Sequence, residues 1–327
     1  VDYLIIHATL ITEDAAQKTV PDGAVAIQGD KILDLGESAK LKELYRAKNE
    51  IDAHDGIVVP GFVNTHTHLS TVALRGMVDT TDLGRWWREL VWPTEKQFIS
   101  RDFTVSLAFL GIADQLRNGV TTVNDMSFFS DAVAEAAALM GLRGYFGETL
   151  VSQETPAYAT MAQALDRVHR VQNLGVANGR ILAAVTPHGL YNIRPDDLKT
   201  AVSFAKKNRL LFHMHLDESD SDTQFVLKTF KKNSLRVLED FDVPPGSIMA
   251  HGVKMSADKM KIFKRLGLFL STNVTSTQTL ATGAAPLERY LSAGVPITLG
   301  TDGPITNSAD SFLEDMRNLE RSYQPHS

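Results

Sequence analysis

The pattern of hydrophobic and polar residues changes near residue 56, and it indicates two kinds of structure in one chain. Before that point, short β-branched and apolar runs are separated by turn residues, which is typical of a small sheet. Strands are predicted at 1–11, 23–27 and 31–35, and helical periodicity is limited to 40–45. The pattern predicts a small, partial β-sandwich-like domain over residues 1–56.

From residue 57 onward, short apolar runs alternate with amphipathic stretches. Continuous apolar runs are typical of parallel strands that are buried on both faces. Eight such strands are predicted, with helical segments between them and a last helix within 311–323, at 57–64, 121–124, 142–146, 181–186, 210–214, 247–250, 268–272 and 296–300. The count predicts an α/β fold, a (β/α)8 TIM barrel over 57–327. An open doubly wound sheet is the alternative, but no glycine-rich phosphate turn follows the first strand.

Composition narrows the chemistry that this chain can perform. It has no cysteine, which excludes thiolate catalysis and cysteine-ligated metal sites. Its mild net charge of −6 argues against nucleic acid or an anionic membrane as a partner. The apolar start at 1–6 is too short for a signal peptide or a membrane span. We therefore expect a cytoplasmic protein that acts on a small molecule.

The ten histidines fall into two groups. Four of them lie in the predicted sheet region, in a helix or near the tail, where surface positions or ordinary packing explain them: His7, His54, His169 and His326. The other six lie at or near the carboxyl ends of predicted barrel strands, the face on which barrel enzymes build their active sites. They are His66, His68, His188, His213, His215 and His251.

Two of the strand ends carry histidines at a spacing of two. His66 and His68 close the first strand, and His213 and His215 close the fifth. Residues two apart on a strand point to the same side, so each pair can face the barrel mouth. Spacing alone does not choose between His213 and His215 as a third metal ligand. The more terminal His215 is favoured, and packing below it is the favoured interpretation of His213.

Two further strand ends complete a set of metal-binding side chains. His251 follows the sixth strand, and Asp302 follows the eighth between glycines that let the backbone turn. Glu218, close behind His215, is placed to move protons. Histidines with one carboxylate favour Zn²⁺ or Fe²⁺ over Mg²⁺ or Ca²⁺, which prefer oxygen ligands. The sequence predicts a metal-dependent hydrolase.

The same residues resemble a known family. The chain is similar to the amidohydrolase superfamily, and within it to the methylthioadenosine/S-adenosylhomocysteine deaminases and their s-triazine hydrolase relatives. The matching motifs are Pro60-Gly61-Phe62-Val63-Asn64-Thr65-His66-Thr67-His68, Leu74-Arg75-Gly76, Trp92-Pro93-Thr94-Glu95, Gly119-Val120-Thr121-Thr122, Pro187-His188-Gly189-Leu190-Tyr191, His215-Leu216-Asp217-Glu218, His251 and Gly300-Thr301-Asp302-Gly303.

The resemblance implies a site and a reaction. It implies one metal ion, Zn²⁺ with Fe²⁺ as the alternative, bound by His66, His68, His215 and Asp302. A strand-four lysine, typical of two-metal members, is missing from 186–188. The implied activity is that of a hydrolase of carbon–nitrogen bonds in cyclic amidines, a deaminase acting on an adenine-type nucleoside.

The resemblance also implies roles for five side chains. His251 and Asp302 orient or deprotonate the metal-activated water, and Glu218 protonates the ring nitrogen and then the leaving ammonia. Glu95 binds ribose hydroxyls, although a carboxylate at the start of a helix explains it nearly as well. His188 helps to hold the substrate. A homo-oligomer is expected on the same ground.

The chain departs from the family pattern in two places. The stretch Val274-Thr275-Ser276-Thr277-Gln278-Thr279-Leu280 has threonine where the subgroup has asparagine and lysine. The family also extends by about a hundred residues, the size of a small domain, which leads us to expect an unfinished sheet domain here. Two alternatives therefore stay open, a hydrolase of another N-heterocycle (s-triazine, pterin or guanine) and an inactive metal-binding relative.

Overall fold

The computed structural model describes residues 1–15, 19–78 and 83–323. They divide into two compact units, with the boundary between Gly61 and Phe62 rather than at residue 56. The expected first barrel strand at 57–64 is split by this boundary. Ile57–Val58 pairs with the first strand of the small unit, and the barrel strand itself begins at Phe62.

The small unit is one sheet with a helix packed on it. Its central strand β1 (Tyr3–Ile11) is antiparallel to β2 (Thr19–Gln28) and parallel to β4 (Asn49–Asp52) and β5 (Ile57–Val58), and β3 (Lys31–Glu37) is paired with β2. Helix α1 (Ser38–Leu44) buries Leu41 against apolar side chains of β1 and β2. The described residues of this unit form one sheet, which is the small N-terminal sheet that the sequence predicted. Strand β4 was not predicted because all four of its residues are exposed.

The large unit is a nearly closed barrel of eight parallel strands, as the apolar runs predicted. Each strand pairs with its neighbour in chain order. The strands are β6 (Phe62–Thr67), β7 (Val120–Ser127), β8 (Arg143–Leu150), β9 (Ile181–Pro187), β10 (Leu211–Leu216), β11 (Ile248–His251), β12 (Phe269–Thr272) and β13 (Ile297–Leu299).

Helices connect the strands and cover the barrel. A 3₁₀ turn follows β6 at Leu69–Leu74, and a π-helical turn at Trp87–Val91 joins α2 to α3. The helices are α2 (Leu83–Trp86), α3 (Trp92–Phe98), α4 (Arg101–Arg117), α5 (Ser130–Met140), α6 (Met161–Ala177), α7 (Pro195–Asn208), α8 (Asp220–Phe230), α9 (Ser234–Asp240), α10 (Ala257–Arg265), α11 (Val274–Thr279), α12 (Leu287–Ala293) and α13 (Phe312–Tyr323).

The ends of the helices follow the local sequence. The Ser256 side chain accepts a hydrogen bond from the backbone N–H of Lys259 and so caps α10. Gly294 ends α12 with a left-handed φ of 68°, a conformation that glycine adopts without strain. No helix in the described ranges is long and apolar enough to cross a bilayer. The cytoplasmic location and the homo-oligomer stay predictions.

The barrel closes between its first and last strands mainly through side chains. The Asn64 carboxamide donates to the hydroxyl of Thr301 (2.8 Å) and to the Gln115 side chain (2.9 Å), and it accepts from the Thr301 N–H (3.1 Å). One backbone bond crosses the seam, from the N–H of Asp302 to the carbonyl of His66 at 3.0 Å. Asn64 is fully buried, so all of these bonds lie out of water.

We predict that Asn64→Ala lowers the free energy of unfolding by about 3 kcal/mol, because buried partners lose their hydrogen bonds. Urea denaturation measures this difference. The matched control is Val63→Ala on the same strand, where the side chain is 52% exposed and the expected loss is below about 1 kcal/mol. Equal losses for the two variants would show that this network does not hold the seam.

Candidate metal centre and active site

Four side chains from three strand ends converge at the carboxyl face of the barrel. His66 and His68 come from β6, His215 from β10, and Asp302 follows β13. Their potential ligand atoms all lie within 4.8 Å of one another. The Nε2 atom of His215 is 3.1 Å from that of His66 and 3.2 Å from that of His68. The Oδ1 atom of Asp302 is 3.2 Å from Nε2 of both His66 and His68.

The other ring nitrogen of two of these histidines contacts a backbone carbonyl. His68 Nδ1 is 2.5 Å from the carbonyl oxygen of Met126, and His215 Nδ1 is 2.7 Å from that of His188. A carbonyl only accepts, so each Nδ1 carries the proton. In a neutral imidazole the Nε2 atom then has a free lone pair, and these lone pairs face each other. Burial lowers the pKa of His215 well below its ordinary value, which favours this neutral form.

Asp302 is oriented by two hydroxyl groups that the sequence did not single out. Its Oδ2 atom accepts hydrogen bonds from Ser276 (2.5 Å) and Thr306 (3.0 Å), which leaves Oδ1 facing the histidines. Its backbone has a φ of 63°, a strained conformation for a residue with a side chain, and such strain is often found at functional sites. Three imidazoles and one carboxylate oxygen therefore form a donor set that fits a tetrahedral metal ion.

Glu218 and His251 lie at the edge of this cluster. Their side chains face each other, with 3.8 Å between Glu218 Oε2 and His251 Nε2, and both are buried. Burial and the charge of Asp302 raise the pKa of Glu218 well above its usual value, which favours its protonated form. Burial lowers the pKa of His251 to about 4, which leaves it neutral and able to accept a proton. Its buried Nδ1 has no hydrogen-bond partner in the described part of the chain.

A pocket opens above the cluster and contains the two residues expected to bind substrate. Glu95 on α3 and His188 after β9 both line it, together with Glu218, His251 and Asp302. Aromatic and aliphatic side chains form much of its wall, among them Trp86, Trp87, Phe128 and Ile305. A largely apolar pocket with a few convergent polar groups is typical of small-molecule sites.

His188 is fixed as a hydrogen-bond donor toward this pocket. Its Nδ1 atom accepts from the Asn192 side-chain amide at 2.9 Å, so the proton of the neutral ring lies on Nε2. Burial lowers its pKa to about 3, which keeps the ring neutral. Burial likewise raises the pKa of Glu95 to about 7, although the charge of His68 opposes this.

The remaining histidines lie away from the cluster or support it from below. His7, His54 and His169 are at exposed positions outside the site. His326 lies outside the described residues. His213 is fully buried beneath His66, with 2.8 Å between its Nε2 and His66 Nδ1.

Sequence patterns did not reveal every group that shapes the site. The carbonyl groups of Met126 and His188 hold ligands, and any residue type would supply them. Asp125, which accepts a hydrogen bond from the Leu69 N–H at 2.7 Å beside His68, was also missed. Ser276 had a detectable signal, since it keeps the serine of the stretch in which the chain otherwise departs from the family.

Comparisons with known proteins agree with this architecture. A model of the amidohydrolase family matches residues 57–325. A 5-methylthioadenosine/S-adenosylhomocysteine deaminase of Nitratidesulfovibrio vulgaris is 32% identical over 96% of this chain and 72% of its own length. A 5′-deoxyadenosine deaminase of Methanothermobacter thermautotrophicus is 30% identical over 90% of this chain and 68% of its own length.

Two solved structures share the fold. An adenosine deaminase from Xanthomonas campestris with bound zinc has a TM-score of 0.92 and 23% identity, covering 98% of this chain and 73% of that one. Atrazine chlorohydrolase from Arthrobacter aurescens, complexed with zinc, has a TM-score of 0.85 and 22% identity, covering 99% and 77%. At these identities the likeness shows the fold alone. The family match and the related sequences confirm the resemblance inferred from the motifs, and the chain belongs to the amidohydrolase family.

Proposed function

We propose that this chain is a metal-dependent deaminase that releases ammonia from an adenine-type nucleoside such as 5′-methylthioadenosine or S-adenosylhomocysteine. The observation that carries the proposal is the convergence of the four metal-binding side chains with Glu218, whose pKa is raised, and His251, whose pKa is lowered, at one edge of the pocket. The substrate class is supported by the names of the related sequences, which align over nearly the whole chain.

The cluster fits one zinc ion, with iron as the alternative. Three imidazoles and one carboxylate suit these metals better than magnesium or calcium. We propose His66, His68, His215 and Asp302 as the ligands. When bound, the metal lowers the pKa of a water molecule so that water can act as a nucleophile near neutral pH.

The protein side chains carry the proton transfers. His251 accepts a proton from the attacking water, because its ring is neutral and faces the cluster, 5.2 Å from the ring of His215 between centroids. Glu218 donates its proton to the ring nitrogen beside the attacked carbon. The Glu218 carboxylate then takes the remaining proton of the added hydroxyl group and delivers it to the exocyclic nitrogen. The carbon–nitrogen bond breaks, ammonia leaves, and the carbon that carried the hydroxyl becomes a carbonyl. The proton held by His251 returns to Glu218, which restores both side chains.

The pocket walls hold the rest of the substrate. His188 donates a hydrogen bond through Nε2, and Glu95 accepts hydrogen bonds from the ribose hydroxyls. The aromatic side chains of Trp86, Trp87 and Phe128 exclude water from the base.

The first prediction concerns the charge of the substrate. In the part of the chain that the structure describes, no lysine or arginine lines the pocket, whereas Glu95 and Glu218 do. The metal-loaded protein should therefore deaminate 5′-methylthioadenosine at least about tenfold more efficiently (kcat/KM) than S-adenosylhomocysteine, whose carboxylate would be buried unpaired. In the same ammonia-release assay, the kcat/KM for the carboxamide of S-adenosylhomocysteine should lie between the values for the other two substrates.

Two outcomes would contradict this account. Equal kcat/KM for S-adenosylhomocysteine and its carboxamide would mean that carboxylate charge does not govern selection. Ammonia release from pterins, guanine or triazines, with none from any nucleoside, would move the function to another N-heterocycle.

The second prediction concerns Glu218. Glu218→Gln should lower kcat by about 10²- to 10⁴-fold, because the amide cannot protonate the ring nitrogen. Because the proton on Glu218 is required, activity should fall as pH rises through its raised pKa. Asp220→Asn, an exposed carboxylate two residues away, is the control and should leave kcat unchanged. A Glu218→Gln enzyme as active as this control would remove Glu218 from the mechanism.

The third prediction concerns Glu95. Glu95→Gln should raise KM about tenfold for a ribosyl substrate, because a charged hydrogen bond to the sugar is weakened. The KM for adenine, which lacks the sugar, should not change. The matched control is Glu89→Gln, an exposed carboxylate on the preceding π-helical turn. If both substrates lose affinity alike, Glu95 acts on the base or on the fold rather than on the ribose.

A further inference from the structure

His213 occupies a position where an apolar side chain would be expected. It lies on β10, two residues before His215, and its side chain points into the barrel below the metal cluster. It is fully buried, and burying an imidazole is costly unless both ring nitrogens are hydrogen-bonded. Both of them are bonded, which sets this residue apart from ordinary packing.

The hydrogen bonds of His213 assign the proton on each nitrogen in turn. Its Nδ1 atom is 2.9 Å from the carbonyl oxygen of Ile248, which can only accept, so Nδ1 carries the proton. His213 is fully buried, and its hydrogen bonds go to a carbonyl and to another histidine rather than to a carboxylate, so its ring stays neutral, with a lone pair on Nε2. That lone pair is 2.8 Å from His66 Nδ1, which must donate. His66 is thereby left with its own lone pair on Nε2, the atom that faces the cluster.

In the other two proposed histidine ligands, a single hydrogen bond places the proton on Nδ1 and leaves the lone pair on Nε2. His68 and His215 donate from Nδ1 to the carbonyl groups of Met126 and His188. His66 is fully buried in the barrel, and its ring nitrogen reaches the Ile248 carbonyl only through His213. Two hydrogen bonds in series thus place the proton on Nδ1 of His66, as one hydrogen bond does in His68 and in His215.

We infer that His213 is a positioning residue that links the Ile248 carbonyl to His66 through its two hydrogen bonds. It fixes the tautomer and the ring orientation in which His66 Nε2 can bind a metal ion. The inference rests on the metal site proposed above and adds a residue that is not itself a ligand. Partners of metal-binding histidines commonly act in this way.

Two variants separate this role from packing. His213→Phe fills the space but removes the acceptor for His66 Nδ1. His213→Gln keeps an acceptor, because its Oε1 atom can take the place of Nε2, and its amide can still donate. The metal-free protein is titrated with Zn²⁺ in competition with a chelator, and the thermal midpoint of the metal-free protein is measured for each variant.

The expected result is a Zn²⁺ dissociation constant raised about 10- to 100-fold in His213→Phe and close to that of the wild type in His213→Gln. Unchanged zinc affinity in His213→Phe, with only a lower thermal midpoint, would overturn the inference and leave His213 a packing residue. A wild-type protein that binds no zinc would overturn the metal site as well, so the two failures can be told apart.

A second experiment uses the wild-type protein and does not depend on a variant that folds. In metal-free protein labelled with ¹⁵N at histidine, NMR should show the His66 proton on Nδ1, where His213 places it. A proton on Nε2 of His66 would overturn the inference. Both readouts are independent of catalytic activity.

Discussion

The N–H of Asp302, which follows the last barrel strand, donates to the carbonyl of His66 in the first strand, and this backbone pairing closes the barrel at the level of the metal-binding side chains. Ligands from the two ends of the barrel therefore meet where the barrel closes. The Asn64 network holds the same seam one layer below. The contacts that close the barrel also bring the metal-binding side chains together. A substitution that weakens these contacts is therefore expected to lower both the stability of the fold and the affinity for the metal.

A second constraint follows from gathering polar groups in a buried place. Each ligand needs a partner that orients it, because a buried polar atom left unpaired is costly. The partners are of three kinds: backbone carbonyls for His68 and His215, hydroxyls for Asp302, and His213 for His66. With these bonds made, the remaining lone pairs point to one place. The site is thus organised by the fold before any metal binds.

The sequence was sufficient for the parts of this account that depend on periodicity and residue type. All eight barrel strands were predicted because buried parallel strands are continuous apolar runs, and the histidines that the structure brings together were singled out because they follow those runs. Strand β4 was missed because all four of its residues are exposed and three of them are polar. The role of His213 could not be read from spacing, since it faces the same way as His215. Only the distances to Ile248 and His66 separate the two.

The central claim is that three histidines and one aspartate of this chain hold a single metal ion. Elemental analysis combined with X-ray absorption spectroscopy of the zinc-loaded protein tests it most directly. The account predicts one zinc per chain with nitrogen and oxygen ligands at about 2.0–2.1 Å, and loss of bound zinc in Asp302→Ala. Retention of a full equivalent of zinc in that variant, with an unchanged absorption spectrum, would contradict it.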